Sequence, residues 1–436
     1  MRFFNRFFIL IISFILCFSF LACNSPSPAN NDLDDDMEEK PLTSEYGIAD
    51  QNYLFGMCYL MEEREYDFAY DMEKEVKLMK NLGVKSVRQW MHFSTLMYDK
   101  NTLKKDACEK MHTLLKLCSD SGMVNIGMNH HNFNNGTNSI GKPKRLIYNG
   151  SSYVNWLNDY YTSWYTLVSE FPEIKYWEVD NEVNNKDFMK NEYGQAVYSV
   201  QEMADIAADM FYYASRAIHD ANPDAIVVMG SMTEPEGLGN GNLLEFFEVL
   251  YNNIESGNFG YFYGKEDKQN ASTNADDYFQ IACWHPYVWT DFKPDEFVEK
   301  NAKIYDILLK HEGKHKKVFL TELGFNDKNR GEENTALAIR QLYTVIKEKM
   351  PYVESVHYFK MFDTALTDAW DSHGDYVRFG LFYDPDVNRK YPLLNESHKT
   401  PTEGGTLAVN GKAKIKAYTY QELAGGSGNL DLLVKK

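Results

Sequence analysis

Residues 174–182 read Ile-Lys-Tyr-Trp-Glu-Val-Asp-Asn-Glu, and residues 317–322 read Lys-Val-Phe-Leu-Thr-Glu. Both are short runs with β-branched or aromatic residues at their centre, and each stops on a glutamate. Working outward, runs of this kind recur at 53–59, 84–88, 123–128, 174–179, 225–230, 279–284, 317–321 and 355–360, and the spacing predicts eight strands. Helical patterns lie between them. Met72, Val76 and Met79 line one apolar face; Leu103, Ala107, Met111, Leu114 and Cys118 line the next. Met203, Ile206, Ala207, Met210 and Ala214 line a later one, and Ile339, Tyr343 and Ile346 the seventh. Gly83 and Gly122 stand where helices should stop. Strands alternating with helices imply a parallel sheet. Eight such units over roughly 380 residues fit an α/β fold of the (β/α)8, or TIM, barrel type. An open doubly wound sheet is the alternative, but the turn after the first strand is Leu60-Met61-Glu62-Glu63, without the glycine-rich phosphate loop of its nucleotide-binding forms. Residues 256–277 and 384–412 break the rhythm and read as loop insertions after strands five and eight, the first expected on the top face of the barrel.

The remaining features bound the surroundings of this domain. Of 436 residues, 44% are hydrophobic and 25% charged, the profile of a chain with a substantial core. Acids outnumber bases 63 to 45, giving a net charge of −18, which argues against a nucleic-acid partner. Acidic polysaccharides are disfavoured on the same ground. Arg2 and Arg6 precede an apolar run at residues 7–21 broken by Ser13, Cys17 and Ser19. With Ala22 before Cys23, residues 1–22 resemble the leader of a bacterial lipoprotein. That resemblance implies export, lipidation of Cys23 and anchoring to the cell envelope, with no other membrane contact. Phe20 stands where such leaders usually carry Leu. Residues 23–46 are rich in Asn, Ser, Pro and Asp and read as a disordered tether, leaving 47–436 for the barrel. Cys58, Cys108, Cys118 and Cys283 show no disulfide framework.

In a barrel of this type, functional groups gather at the C-terminal ends of the strands. The second predicted strand ends in Arg88, followed by Trp90 and His92. The third runs into His130 and His131, the fourth into Asn181-Glu182, and the sixth into His285-Pro286-Tyr287 with Trp289 just beyond. The seventh ends in Glu322, and the eighth leads to Phe359, Phe362 and Asp363. Glu182 and Glu322 come from opposite sides of the ring and can face each other across its mouth. Glycoside hydrolysis needs such a pair: one carboxyl protonates the leaving oxygen while the other attacks the anomeric carbon or activates water.

This constellation resembles the glycoside hydrolases of clan A, with families thirty-nine and five the nearest, over the chain from about residue 50 onward. The resemblance implies a retaining mechanism in which Glu182 is the acid/base and Glu322 the nucleophile. It implies that Asn181 binds the sugar 2-hydroxyl and that Arg88, His285 and Tyr287 support the site. One of His130 and His131 is expected to line the sugar subsite, and Trp90 and Trp289 are candidate stacking platforms. Val183 replaces a frequent Pro, Asp180 stands where many relatives are apolar, and the usual aromatic after strand eight has Phe359, Phe362 and Trp370 as candidates. The expected partner is a carbohydrate, with no metal and no organic cofactor. Abundant aromatics favour an endo-acting β-glycanase. A non-catalytic glycan-binding lipoprotein and a transglycosylase are the alternatives.

His311-Glu312-Gly313-Lys314-His315 fits the HExxH zinc pattern. That motif needs a continuous helix to place both histidines on one face. Gly313 interrupts it, and the segment leads into strand seven at the opposite end from the strand C-termini, so no zinc site is expected here.

Overall fold

The computed structural model describes residues 47–59, 71–130, 151–186, 188–189, 196, 198–233, 243–257, 272–327, 330–363, 378–383 and 411–434. The chain divides into compact units Met1–Lys40 and Pro41–Lys436, and every described residue belongs to the second. The leader, the Cys23 anchor, the tether, His131 and Trp370 lie outside the described residues.

Eight strand–helix units follow one another: β1 (Tyr53–Tyr59) and α1 (Met72–Leu82), β2 (Ser86–Trp90) and α2 (Lys105–Asp120), β3 (Val124–Asn129) and α3 (Ser151–Glu170), β4 (Tyr176–Val179) and α4 (Val200–Ala221). Then come β5 (Ile226–Val228, resumed at Met232–Thr233) and α5 (Leu243–Ser256), β6 (Ala282–His285) and α6 (Pro294–Glu312), β7 (Val318–Leu323) and α7 (Glu332–Lys349), β8 (Val353–Tyr358) and α8 (Ile415–Leu423). All neighbours around the ring pair in parallel. Gly56 faces Ser86, Ser86 faces Val124, Ile126 faces Tyr176, and Val318 faces both Ala282 and Val353. Tyr53 faces Ser355, which joins β1 to β8. β5 closes the circle: Ile226 pairs with Tyr176 of β4, and Met232 pairs with Trp284 of β6.

Local sequence explains the element ends. Asp71 caps α1 by accepting the Lys74 amide, and Gly83 ends the helix in the left-handed region at φ 87°. Ser199 and Glu202 form a reciprocal capping box at the start of α4. Leu103 is a correction: the residue expected on the α2 face pairs instead with Met97 in a small hairpin, whose turn is fixed by Asp99 accepting the Asn101 amide. A second correction concerns the segment at 256–277. Gly257 closes α5, and the 3₁₀ turn Ala275–Asp277 lies beside Lys314 and Lys316, which precede β7. The segment therefore leaves from the bottom of the barrel, because it follows a helix rather than a strand. Residues 258–271 themselves, and 384–410 of the second insertion, lie outside the described residues.

Outside the ring, apolar residues of the strands meet the helices: Trp177 of β4 packs edge-on against Trp164 of α3, ring centroids 5.9 Å apart. Inside, the ring is layered. Tyr53, Tyr176 and Phe319 fill the bottom. Above them Ser86 bonds both Ser355 and His357 at 3.1 Å. Next come Cys58, Cys283 and Thr321, and at the top Arg88 and Glu322. A polar interior of this kind is stable only where each group finds a partner.

At the mouth, a buried ion network ties the C-terminal segment to the barrel. Lys414 bridges Asp327 (2.8 Å) and Asp363 (2.7 Å), while Lys416 bonds Asp327 and the carbonyls of Phe325, Arg378 and Phe379.

Gly230 interrupts β5 for a steric reason. A Cβ there would sit 2.1 Å from the Val179 carbonyl oxygen and 2.7 Å from the Phe211 ring. Gly230→Ala is predicted to lower unfolding free energy by about 2 kcal/mol or more, measured by urea denaturation. A stability equal to the parent would show that β5 and β4 can separate at no cost.

Candidate active site

Arg88 is the centre of the top layer and is fully buried. Its Nε and Nη2 donate to the two oxygens of Glu178 at 2.7 and 2.8 Å, a bidentate pair. Nη2 also donates to Asn181 Oδ1 at 2.8 Å, and Nη1 to Glu322 Oε1 at 2.5 Å. One guanidinium thus sets β2, β4 and β7 relative to one another. Tyr287 donates to the other oxygen of Glu322 at 3.0 Å. Burial, followed by the Glu322 charge, pushes the Tyr287 phenol far above its ordinary range, so it stays a donor.

The backbone after β4 is strained beside this network. Asp180 and Glu182 both take positive φ, 81° and 49°. The turn is held by Asp180 accepting the Asn181 amide, by the Asp180 amide bonding the Asn129 carbonyl, and by Ser231 accepting the Glu182 amide. Glu182 is buried, and its Oε2 accepts from Asn185 at 2.9 Å. Burial raises its carboxyl above the ordinary value; the bonds from Asn185 and Thr233 pull the other way.

His285 connects the two glutamates. Its Nδ1 lies 3.1 Å from Glu182 Oε1 and 3.8 Å from Glu322 Oε2, and its Nε2 lies 3.0 Å from Thr321 Oγ1. Burial lowers the imidazole to about 4, so it is neutral near pH 7. The Thr321 hydroxyl donates its single proton to Glu178 at 3.1 Å. Thr321 therefore accepts from His285 Nε2–H, and Nδ1 is left as an acceptor facing Glu182. This hydrogen-bond order assigns the proton to Glu182.

Oxygens of Glu182 and Glu322 and a nitrogen of His285 all lie within 4.8 Å of one another. Such spacing also suits a metal ion, as does that of Glu178, Cys283 and His285. The Arg88 guanidinium, in contact with Glu178 and Glu322, disfavours a second cation there.

The other predicted residues fall on two flanks. On one, Trp90 stacks on His92 (5.2 Å), His92 lies beside His130 (5.8 Å), and His130 Nδ1 donates to Asp180 at 2.7 Å. Burial lowers the His130 imidazole well below its ordinary value, with the charges of His92 and Arg88 adding to the effect. On the other flank Trp289 stacks on Tyr287 (5.6 Å, 27°), and Phe359 meets Tyr287 edge-on at 6.2 Å. Among the described residues Phe359 is therefore the strand-eight aromatic at the site, while Phe362 packs on Phe382 in the core and Trp370 lies outside them. Glu178, Thr321, Asn185 and Ser231 carry the network without having been singled out in the sequence. For Glu178 the signal was present: a charged residue on the inward face of a buried strand needs a partner.

The HExxH stretch comes apart as expected from Gly313, whose φ of 62° ends α6. His311 bonds Glu255, His315 bonds Tyr305, and Glu312 is engaged by Tyr251 and Lys316.

No protein-family model and no curated protein matches the sequence. Solved structures do match the fold. A family 39 glycoside hydrolase from Bacteroides cellulosilyticus WH2 superposes with a TM-score of 0.54 at 14% identity over 86% of this chain. This chain spans 64% of that enzyme's length. A β-glucosidase from Thermotoga maritima gives a TM-score of 0.57 at 12% identity, covering 87% of this chain and 98% of that one. A family 5 glycoside hydrolase from Bifidobacterium longum subsp. longum gives 0.56 at 11% identity, covering 85% and 78%. The chain has a (β/α)8-barrel fold, which it shares with these glycoside hydrolases.

Two predictions follow from the network. Glu178→Gln is predicted to lower stability by about 3 kcal/mol, because it leaves the Arg88 charge half-paired in the interior; urea denaturation measures this, and an unchanged midpoint would refute the pairing. Neutral buried histidines also set a pH dependence. His285 has its pKa lowered from 6.5 to about 4, so below about 6.5 the unfolded chain binds a proton that the folded chain refuses. Unfolding free energy should be full above that pH and fall as pH drops to about 4, with a shallower fall in His285→Gln. Equal slopes for the two proteins would rule the effect out.

Proposed function

We propose that the protein is a retaining glycoside hydrolase acting on O-glycosidic bonds of an oligo- or polysaccharide, with an endo-acting β-glycanase the preferred form. The observation that carries the reading is a pair of glutamates, one just after β4 and one on β7, with oxygens within 4.8 Å, Glu322 held by Arg88 and Tyr287 and Glu182 facing His285. That gap suits the about 5–5.5 Å separation of carboxyls in retaining enzymes and leaves no room for the water an inverting enzyme places between them.

In the first step a Glu322 oxygen bonds to the anomeric carbon as the glycosidic bond breaks, and Glu182 passes its proton to the departing oxygen. In the second, Glu182 takes a proton from water, whose oxygen displaces Glu322 and restores both groups. Arg88 and Tyr287 stabilise the carboxylate of Glu322, and Asn181, held by Arg88, binds the sugar 2-hydroxyl. His130 and Trp90 form one wall of the sugar subsite. These steps use no metal and no organic cofactor. In this reading residues 1–22 direct export, Cys23 carries the lipid anchor at the cell envelope and 23–46 tether the barrel, with labelling by a radioactive fatty acid, lost in Cys23→Ala, as the test.

Reducing-sugar release from β-glucans, xylans, mannans and galactans should occur with the parent protein and vanish in Glu322→Gln. Glu182→Gln should lose about 10²–10⁴-fold in kcat. Activity should fall as pH rises through the pKa of Glu182. Asn185→Ala removes a bond that favours the charged form, so it should move that alkaline limb to higher pH. Glycan binding without sugar release by the parent would replace hydrolysis with a binding role, and an alkaline limb unmoved in Asn185→Ala would remove Glu182 as the acid.

A further inference from the structure

Beside the two glutamates lies a groove of about 540 Å³ that the catalytic steps do not use. Tyr287 belongs to both places: its hydroxyl bonds Glu322, and its ring lines the groove. Trp289, 38% exposed, stacks on that ring, and Phe379 stands edge-on to both. The lining also takes in a stripe of α7, Asn334, Leu337, Ala338 and Gln341, at the spacing that puts residues on one helical face. Ala338 anchors the stripe in the core, while Leu337 is 53% exposed and free to meet a ligand. Arg330 also lines the groove, its Nη2 donating to the Val288 carbonyl at 3.1 Å.

The geometry points to a second sugar-binding subsite in this groove, taking an uncharged sugar unit next to the one that is cleaved. Aromatic rings and side-chain amides in one lining suit a pyranose ring, which offers C–H groups on one side and hydroxyls at its edge. Among the described residues that line the groove Arg330 is the one cation, and Asp291, in the same lining, acts on it electrostatically. With a net charge of −18 on the whole chain, a uronic acid gains nothing here. The inference rests on the glycosidase reading and narrows its substrate class to neutral glycans of at least two sugar units.

The test compares an aryl monosaccharide glycoside with a neutral oligosaccharide ladder of the same sugar, using the parent protein, Trp289→Ala and Gln341→Ala. The ratio of kcat/KM for oligosaccharide over aryl glycoside should fall at least tenfold in Trp289→Ala, carried by KM, and by a smaller factor in Gln341→Ala. An unchanged ratio in both variants overturns the subsite. Calorimetry of the same ladder with Glu322→Gln separates the two readings. Binding that weakens in a Glu322→Gln, Trp289→Ala double variant upholds the groove even where the parent releases no sugar and hydrolysis fails. Binding that ignores Trp289, or no binding of any neutral glycan, overturns it. Tighter binding of a uronate-containing oligosaccharide, lost in Arg330→Gln, overturns the neutral assignment.

Discussion

The structure depends on one buried ion pair. Arg88 and Glu178 face each other inside the ring with no exposure to solvent, and their bidentate bonds leave each with the geometry to hold a further partner. Arg88 reaches on to Glu322 and Asn181; Glu178 accepts the Thr321 hydroxyl. Desolvating two charges is costly and is offset only where the surrounding bonds are complete. That requirement explains the polar interior. Each additional group inside the ring satisfies a neighbour, and together they fix three strand ends to within hydrogen-bond tolerance. Rigidity at those ends is what a mechanism based on preorganised groups requires.

The same pair orders the protons. Because the Thr321 proton goes to Glu178, the His285 tautomer is set, and because burial keeps His285 neutral, Glu182 faces an acceptor. Two glutamates of identical chemistry are thereby distinguished by what lies beneath them: Glu322 has a cation and a phenol as donors, Glu182 a neutral imidazole. Separating two carboxyls in this way is a general route to acid and nucleophile roles at one pH.

Much of this was legible in the sequence. The eight strands were readable because period-two runs alternate with helical faces, and the boundaries drifted by a few residues where strands are short, as at 279–284 against Ala282–His285. Arg88, Asn181, Glu182, His285, Tyr287 and Glu322 were readable because strand ends in a barrel converge. Less visible were groups that act through inward-facing alternation or long-range contact. Thr321 and Cys283 pass for ordinary strand residues, and Ser231 follows an interruption of β5 that only the close approach of Gly230 to Val179 explains. The top-face placement of the segment at 256–277 failed because helix-to-strand and strand-to-helix connections look alike in composition.

The ion network at the mouth has a temporal consequence. Among the described residues, Lys414 and Lys416 are its members after residue 400, and they hold Asp327, Asp363 and the carbonyl of Phe379, whose ring packs against Tyr287 and Trp289. A ribosome delivers these lysines after every strand of the ring has already emerged. The rim around Tyr287 consequently cannot be completed until they arrive, and a nascent chain can close its ring before it owns a finished mouth.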